Sequence, residues 1–422
     1  MMSLISIISF IICLLVLLTY FKTNADIFSP GKVFTFIWAL TIGLVDLKLS
    51  RLQHHWTIEI WIQILIGPLA FLIGVVLIYA QKFNTNLKII NSIRTDTKIF
   101  NIDTNKLFII VFILFSLFLI GYIFIYLKSG EIPLFSSRPG KARANFTMFG
   151  FGLFLHNVVL IVFFTSIYCL IEKKRKLNRK LLILFSFVSV LLYSITLQRN
   201  QIIMTFFMVL VLYYYTTFRV KFKTLFFLFL LIVSFFYLIS SFRAGEVIIY
   251  TLYEISQMKY SKEFAIFTEP YMYVVMNLEN YARAISQIEH YTFGYYTFDF
   301  ITAISGIKHW ISDYFGLIET PFLISGYNTY SAFWTYYRDF GIIGIFFIPF
   351  LGGVLISTLY YSFRKSPTLK KLSILGMFLF TIIFSFFISF IGFLWFFYNL
   401  ILLLIIFKYI TIKTPDKLQD PS

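Results

Sequence analysis

The sequence predicts an all-α polytopic membrane protein of about eleven transmembrane helices with one large external loop, forming a single transmembrane domain over 1–422. Three observations predict it. Hydrophobic residues make up 59% of the chain and charged residues only 13%, where a soluble domain carries roughly 25% charged. The mean hydropathy is +0.84. Long apolar runs recur from end to end, separated by short basic loops, and about 20 apolar residues carry a helix across the hydrocarbon core.

The runs fall at 2–20, 33–49, 59–80, 107–127, 148–171, 181–197, 201–218, 224–242, 335–362, 372–390 and 392–410. The first has no basic start and no small-residue cleavage site, so it reads as a retained helix rather than a signal peptide. The stretch 181–218 is too long for one span, and Gln198-Arg199-Asn200 supplies its turn. The last two runs are nearly continuous, and Gly392 offers the break.

Charge orients the runs. The segment 172–180, EKKRKLNRK, carries six positive charges and one negative. With 21–32, 81–106, 219–223, 364–371 and the tail after 408, it holds 23 of the 36 Lys and Arg. Positive-inside bias makes these segments cytoplasmic, with the N-terminus outside and the C-terminus inside. The net charge of +17 then belongs to interhelical loops facing lipid headgroups and is no footprint of nucleic acid.

That orientation puts 128–147, 198–200 and 243–334 outside. The first of these, Ser136 to Thr147, carries Arg138, Lys141 and Arg143 within six residues, with Pro139 and Gly140 to stop a helix. A few outward charges are tolerated once other loops fix topology; the alternative is that an anion arrives there. Further cations sit at outward helix ends: Arg199, Arg243 and Arg338, the last beside Asp339. Each alone reads equally as an interfacial anchor or a snorkelling turn residue. Several arginines on one side favour phosphate, because a guanidinium fork grips its oxygens in a bidentate way. A lipid-linked diphosphate presents its anion at that level.

The segment 243–334 holds nine of the nineteen acids and many tyrosines. Within it, 271–289 spaces its apolar residues as an amphipathic helix lying on the membrane surface, with Asn280, Arg283 and Gln287 on another face. Tyr291, Tyr295, Tyr296, Trp310 and Tyr314 suit stacking on sugars, or an interfacial aromatic belt. Cys13 and Cys169 lie in apolar runs, and the five histidines have no ligand spacing, so neither a metal site nor a cofactor is expected. The chain has no DxD, Walker A or HExxH motif.

The stretch Ser325-Gly-Tyr-Asn-Thr-Tyr-Ser-Ala-Phe-Trp-Thr-Tyr-Tyr-Arg-Asp-Phe-Gly-Ile-Ile-Gly344 resembles the Asn-Thr-Tyr then Asp-Phe-Gly-x-x-Gly signature of oligosaccharide repeat-unit polymerases, the Wzy-type O-antigen and capsule enzymes. The layout of spans and one large late external loop is similar to theirs. Arg283 and Gly294 match the Arg-x10-Gly spacing of some members, whereas the loop at Arg138 has no second copy of it. The resemblance implies a GT-C-like, metal-independent glycosyltransferase in the bacterial plasma membrane. It would join undecaprenyl-diphosphate-linked oligosaccharides at the outer face, for lipopolysaccharide or capsule, alongside a flippase and a chain-length regulator. On that basis Arg138, Lys141, Arg143, Arg199, Arg243 and Arg283 are expected to bind diphosphate or substrate. Asn328 and Tyr330 are expected to shape the site. Asp339, Arg338 and Glu246 are the catalytic candidates, Asp339 either orienting Arg338 or acting as base, with Glu246 and Glu254 as its rivals. An O-antigen ligase and a lipid-linked oligosaccharide flippase are the competing readings.

Overall fold

The computed structural model describes residues 3–21, 25–217, 234, 248–288, 290–315, 317, 324 and 327–412. Apart from Ser234, the expected span 224–242 lies outside the described residues, as do the candidates Arg243 and Glu246. The fold is all-helical, with 75% helix and no strand among the described residues. Local chemistry sets the helix ends. The Ser3 side chain accepts from the Ile5 and Ser6 amides ahead of Leu4–Tyr20, and Asp103 accepts from Asn105 and Lys106 ahead of Thr104–Ser129. Gly130, at φ +73°, closes the latter helix in the left-handed conformation.

Among the described residues, five stretches are long and apolar enough to cross a membrane: Ile58–Lys82, Thr104–Phe135, Phe151–Ile171, Lys176–Ser194 and Ala332–Lys365. Leu4–Tyr20, Asn200–Thr216 and Leu394–Ile410 are apolar but shorter. The eleven apolar runs are therefore not eleven full-length helices among the described residues. Hydropathy does not register where a helix stops: the apolar stretch 384–393 folds as turns between Leu369–Ile383 and Leu394–Ile410. The break does fall at the expected place, with a 3₁₀ turn over Phe390–Gly392.

The chain groups into two compact units. The first comprises residues 1–92, 219–367 and 374–397. Its spine is the packing of Ile58–Lys82 on Ala332–Lys365. A Cβ on Gly74 would lie 2.3 Å from the Phe350 carbonyl oxygen, and one on Gly353 would lie 2.1 Å from that of Phe71. Small residues thus let the two backbones meet. Leu4–Tyr20 packs on Pro30–Asp46, where Ser6 Oγ donates to Asp46 at 2.7 Å. The Ala332–Lys365 helix is kinked at Gly341 (φ 61°, ψ −145°).

The expected amphipathic helix forms as Thr268–Ile285, but it is not laid out on a surface. It packs against Pro30–Asp46 and Ile58–Lys82. Even its polar Asn277, Glu279 and Asn280 are buried, because each has partners on neighbouring segments or on the helix itself.

The second unit comprises 93–218, 368–373 and 398–422. Val158–Ile171 is its centre, buried along most of its length and packed by Thr104–Ser129, Lys176–Ser194 and Asn200–Thr216. Gly121 admits Phe154 and the Phe151 carbonyl, which a Cβ would meet at 2.8 and 2.9 Å.

Candidate functional site

The first unit holds a cavity of about 210 Å³ at the start of the Ala332–Lys365 helix. Tyr296, Asp299, Lys308, Asn328, Tyr330 and Trp334 line it, with Ser389 and Gly392 among the remaining wall residues. Three pieces of local structure build it.

The first is the segment 327–330. Asn280, fully buried, donates from Nδ2 to the Tyr327 and Thr329 carbonyls at 3.2 and 2.9 Å. The Asn280 side-chain oxygen accepts from the Ile324 amide at 3.0 Å. The Thr329 hydroxyl donates to Asn277 Oδ1. Two asparagines one helical turn apart therefore fix the backbone of Asn328-Thr329-Tyr330. Tyr330 is buried and Asn328 exposed, and both face the cavity.

The second piece is an aromatic ladder. The Tyr330 and Trp334 rings stack with centroids 4.6 Å apart and planes 19° apart. The Arg338 guanidinium lies 5.7 Å from the Trp334 ring and 5.5 Å from that of Tyr296. It also hydrogen-bonds the Tyr296 hydroxyl. Arg338 Nε is buried and has no hydrogen-bond partner, so the group keeps donor capacity. Burial pushes the Tyr296 and Tyr330 phenols above their usual range, while Arg338 pulls both back. Both are neutral hydroxyls at pH 7.

The third piece is the turn 292–298. Asp339 is fully buried. Its carboxylate accepts from the Thr292 hydroxyl and from the Tyr296 and Thr297 amides, the latter two at 3.2 and 2.5 Å. The Thr292 and Phe293 amides donate to the Arg338 and Asp339 carbonyls at 3.2 and 3.1 Å. Gly294, at φ +99°, makes the turn, and a Cβ there would meet Phe298 at 2.8 Å. The Asp-Phe-Gly segment is thus a bracket that carries Tyr296 to the cavity. Asp339 neither pairs with Arg338 nor faces the cavity, because its oxygens are already taken by the turn. In this structure Asp339 therefore anchors the turn, where the sequence suggested a base or an orienting group for Arg338.

Arg283 has inward partners too. Its Nη2 donates to the Leu52 carbonyl at 2.6 Å and lies 2.7 Å from His54 Nδ1, and its Nε is 3.5 Å from Glu279. Glu279 is fully buried and also meets Lys48 at 3.5 Å, His54 Nδ1 at 3.1 Å and Trp56 Nε1 at 3.0 Å. Arg283 therefore helps clamp the 48–56 loop onto Thr268–Ile285.

In the second unit, Arg138, Lys141 and Arg143 are exposed. Pro139 does not stop a helix there. It starts one, Pro139–Asn145, since its fixed φ suits the first helical position. Arg199 is buried, at the start of Asn200–Thr216. The two stretches share one end of this unit: the Leu134 amide bonds the Ile195 carbonyl at 3.1 Å, and Arg143 acts electrostatically on Tyr193.

Sequence reasoning missed Trp334, Asp299 and Lys308. The Trp334–Arg338 spacing of four was legible as one helix face. Nothing in the sequence ties Asp299 and Lys308 to the signature stretch. Among the described residues no cluster of His, Cys, Asp or Glu is arranged to hold a metal ion. Compared with known proteins, the chain matches no family model, no curated protein and no solved structure.

Proposed function

We propose that the chain is a polymerase of lipid-diphosphate-linked oligosaccharide repeat units, working at the outer face of a bacterial plasma membrane. The observation that supports this best is the cavity itself. It joins stacked aromatic rings, an exposed amide and a lysine, with the Arg338 guanidinium seated behind two of its rings. Aromatic faces and amide groups suit a sugar, and the cations suit the diphosphate that carries it.

In this reading the donor oligosaccharide rests on Tyr330 and Trp334 near Asn328. Lys308 and Arg338 supply positive charge where the lipid diphosphate departs, an electrostatic contribution that needs no metal. Asp339 and Gly294 act at a distance by holding Tyr296. Arg138, Lys141, Arg143 and Arg199 remain candidates for a second anionic substrate at their own end of the second unit.

The test is a surface-polysaccharide gel from the source cell lacking this gene, beside the complemented strain. Loss of long polymer, with a single repeat unit still on its acceptor, is the expected result. Lipid-linked long polymer left untransferred would make the protein a ligase. Loss of even the single unit, with lipid-linked repeats accumulating inside, would make it a transporter.

A further inference from the structure

Lys308 Nζ lies 2.8 Å from Asp299 Oδ1, and both side chains line the cavity about a quarter exposed, at 27% and 21%. Asp299 is the one carboxylate among the described residues of the lining. It opens the helix Asp299–Ser305, three residues beyond Tyr296, so the turn anchored on Asp339 sets its position as well. Lys308 opens the next helix, Lys308–Phe315, and its carbonyl accepts from the Tyr295 hydroxyl at 3.3 Å. The pair is therefore carried by two short helices tied to one turn.

We propose that Asp299 is the general base of the transfer and that Lys308 is its partner in the ground state. The assignment rests on the polymerase reading. A sugar hydroxyl entering the cavity as acceptor meets Asp299, whose carboxylate takes the hydroxyl proton. The acceptor oxygen forms a bond to the anomeric carbon of the donor. The bond from that carbon to the diphosphate oxygen breaks, and the lipid diphosphate leaves with the electron pair. Lys308 is released from Asp299 as that carboxylate is neutralised, and its ammonium then faces the new negative charge on the leaving group. The ion pair keeps both groups poised in the empty cavity, and the proton transfer changes which anion the lysine serves.

The experiment complements the gene-deleted cell with Asp299→Asn, Asp299→Glu, Lys308→Met and the exchanged pair Asp299→Lys with Lys308→Asp, checking membrane levels of each by immunoblot. Chain extension is also timed in membrane vesicles supplied with lipid-linked repeat units. General-base assistance is worth about 10²–10⁴-fold, so Asp299→Asn is expected to slow extension at least about 100-fold. Asp299→Glu recovers part of the rate. The exchanged pair, which restores the ion pair but moves the carboxylate, stays slow. Normal polymer from Asp299→Asn, or recovery in the exchanged pair, overturns the assignment while leaving the polymerase reading intact. Unchanged polymer in the deletion strain overturns both.

Discussion

Arg338 holds its guanidinium 5.7 Å from the Trp334 ring, one helical turn earlier on the same helix, and 5.5 Å from the Tyr296 ring on a separate loop. A planar guanidinium stacks on both rings and still offers N–H groups along its edge, whereas an ammonium is a point charge. Arg338→Ala is expected to slow chain extension by about 10²-fold, the usual size for loss of a group aimed at developing negative charge. Arg338→Lys restores the charge without the stacking and recovers only part of that loss. Timed extension in membrane vesicles separates the two. Equal rates for Arg338→Lys and the parent would assign the effect to charge alone.

Composition and the apolar runs sufficed for helical class and for most helix positions, because the period and length of apolar runs are local properties. The Asn280 and Asp339 contacts were not legible in the same way. Both residues look like surface polar groups in the sequence. Each is buried because its partners, Thr329 and Thr297, lie more than forty residues away along the chain. The Asp299–Lys308 pair was hidden for a related reason: the 243–334 segment reads as a polar loop, and only the turn at 292–298 brings these two to the Trp334 face. Conversely, Arg283 looked free on a helical face, yet Glu279, one turn before it, already takes its charge inward.

Asp339→Asn tests the anchoring role against a chemical one. An asparagine keeps the shape but turns an N–H₂ toward amide donors that now find a carboxylate oxygen. Loss of one such buried acceptor costs about 1–3 kcal/mol. The expected outcome is a lower unfolding temperature in detergent with a modest loss of extension that follows it. A loss of extension of about 100-fold or more at an unchanged unfolding temperature would return Asp339 to the role of base.

Glu279 is fully buried and faces Lys48, His54 and Arg283. Glu279→Gln leaves Lys48 and Arg283 facing a neutral amide. Removing one member of a buried ion pair costs about 3–5 kcal/mol. The expected result is a large drop in thermal stability and loss of the 48–56 loop from Thr268–Ile285, seen as faster protease cutting within that loop. Lys48→Met costs less, because Arg283 and His54 still face the carboxylate. A Glu279→Gln protein as stable as the parent would show that the cluster contributes nothing net.

Two glycines on the Ala332–Lys365 helix give an internal contrast. Gly341 sits at φ +61°, where a side chain is strained, and an added Cβ would lie 2.7 Å from the Tyr291 ring. Gly352, eleven positions on, has its nearest prospective neighbour at 3.8 Å. Gly341→Ala is expected to cost about 1–3 kcal/mol through backbone strain alone, and more once Tyr291 is displaced. Because Tyr291 adjoins the turn that carries Tyr296 and Asp299, extension should fall along with stability. Gly352→Ala is expected to be neutral or to stabilise by up to about 1 kcal/mol, since alanine is the better helix former. Thermal unfolding in detergent and vesicle extension, measured on both variants, check the pair. Equal behaviour would mean that the kink at Gly341 is dispensable, and with it the geometry that brings the turn to the cavity.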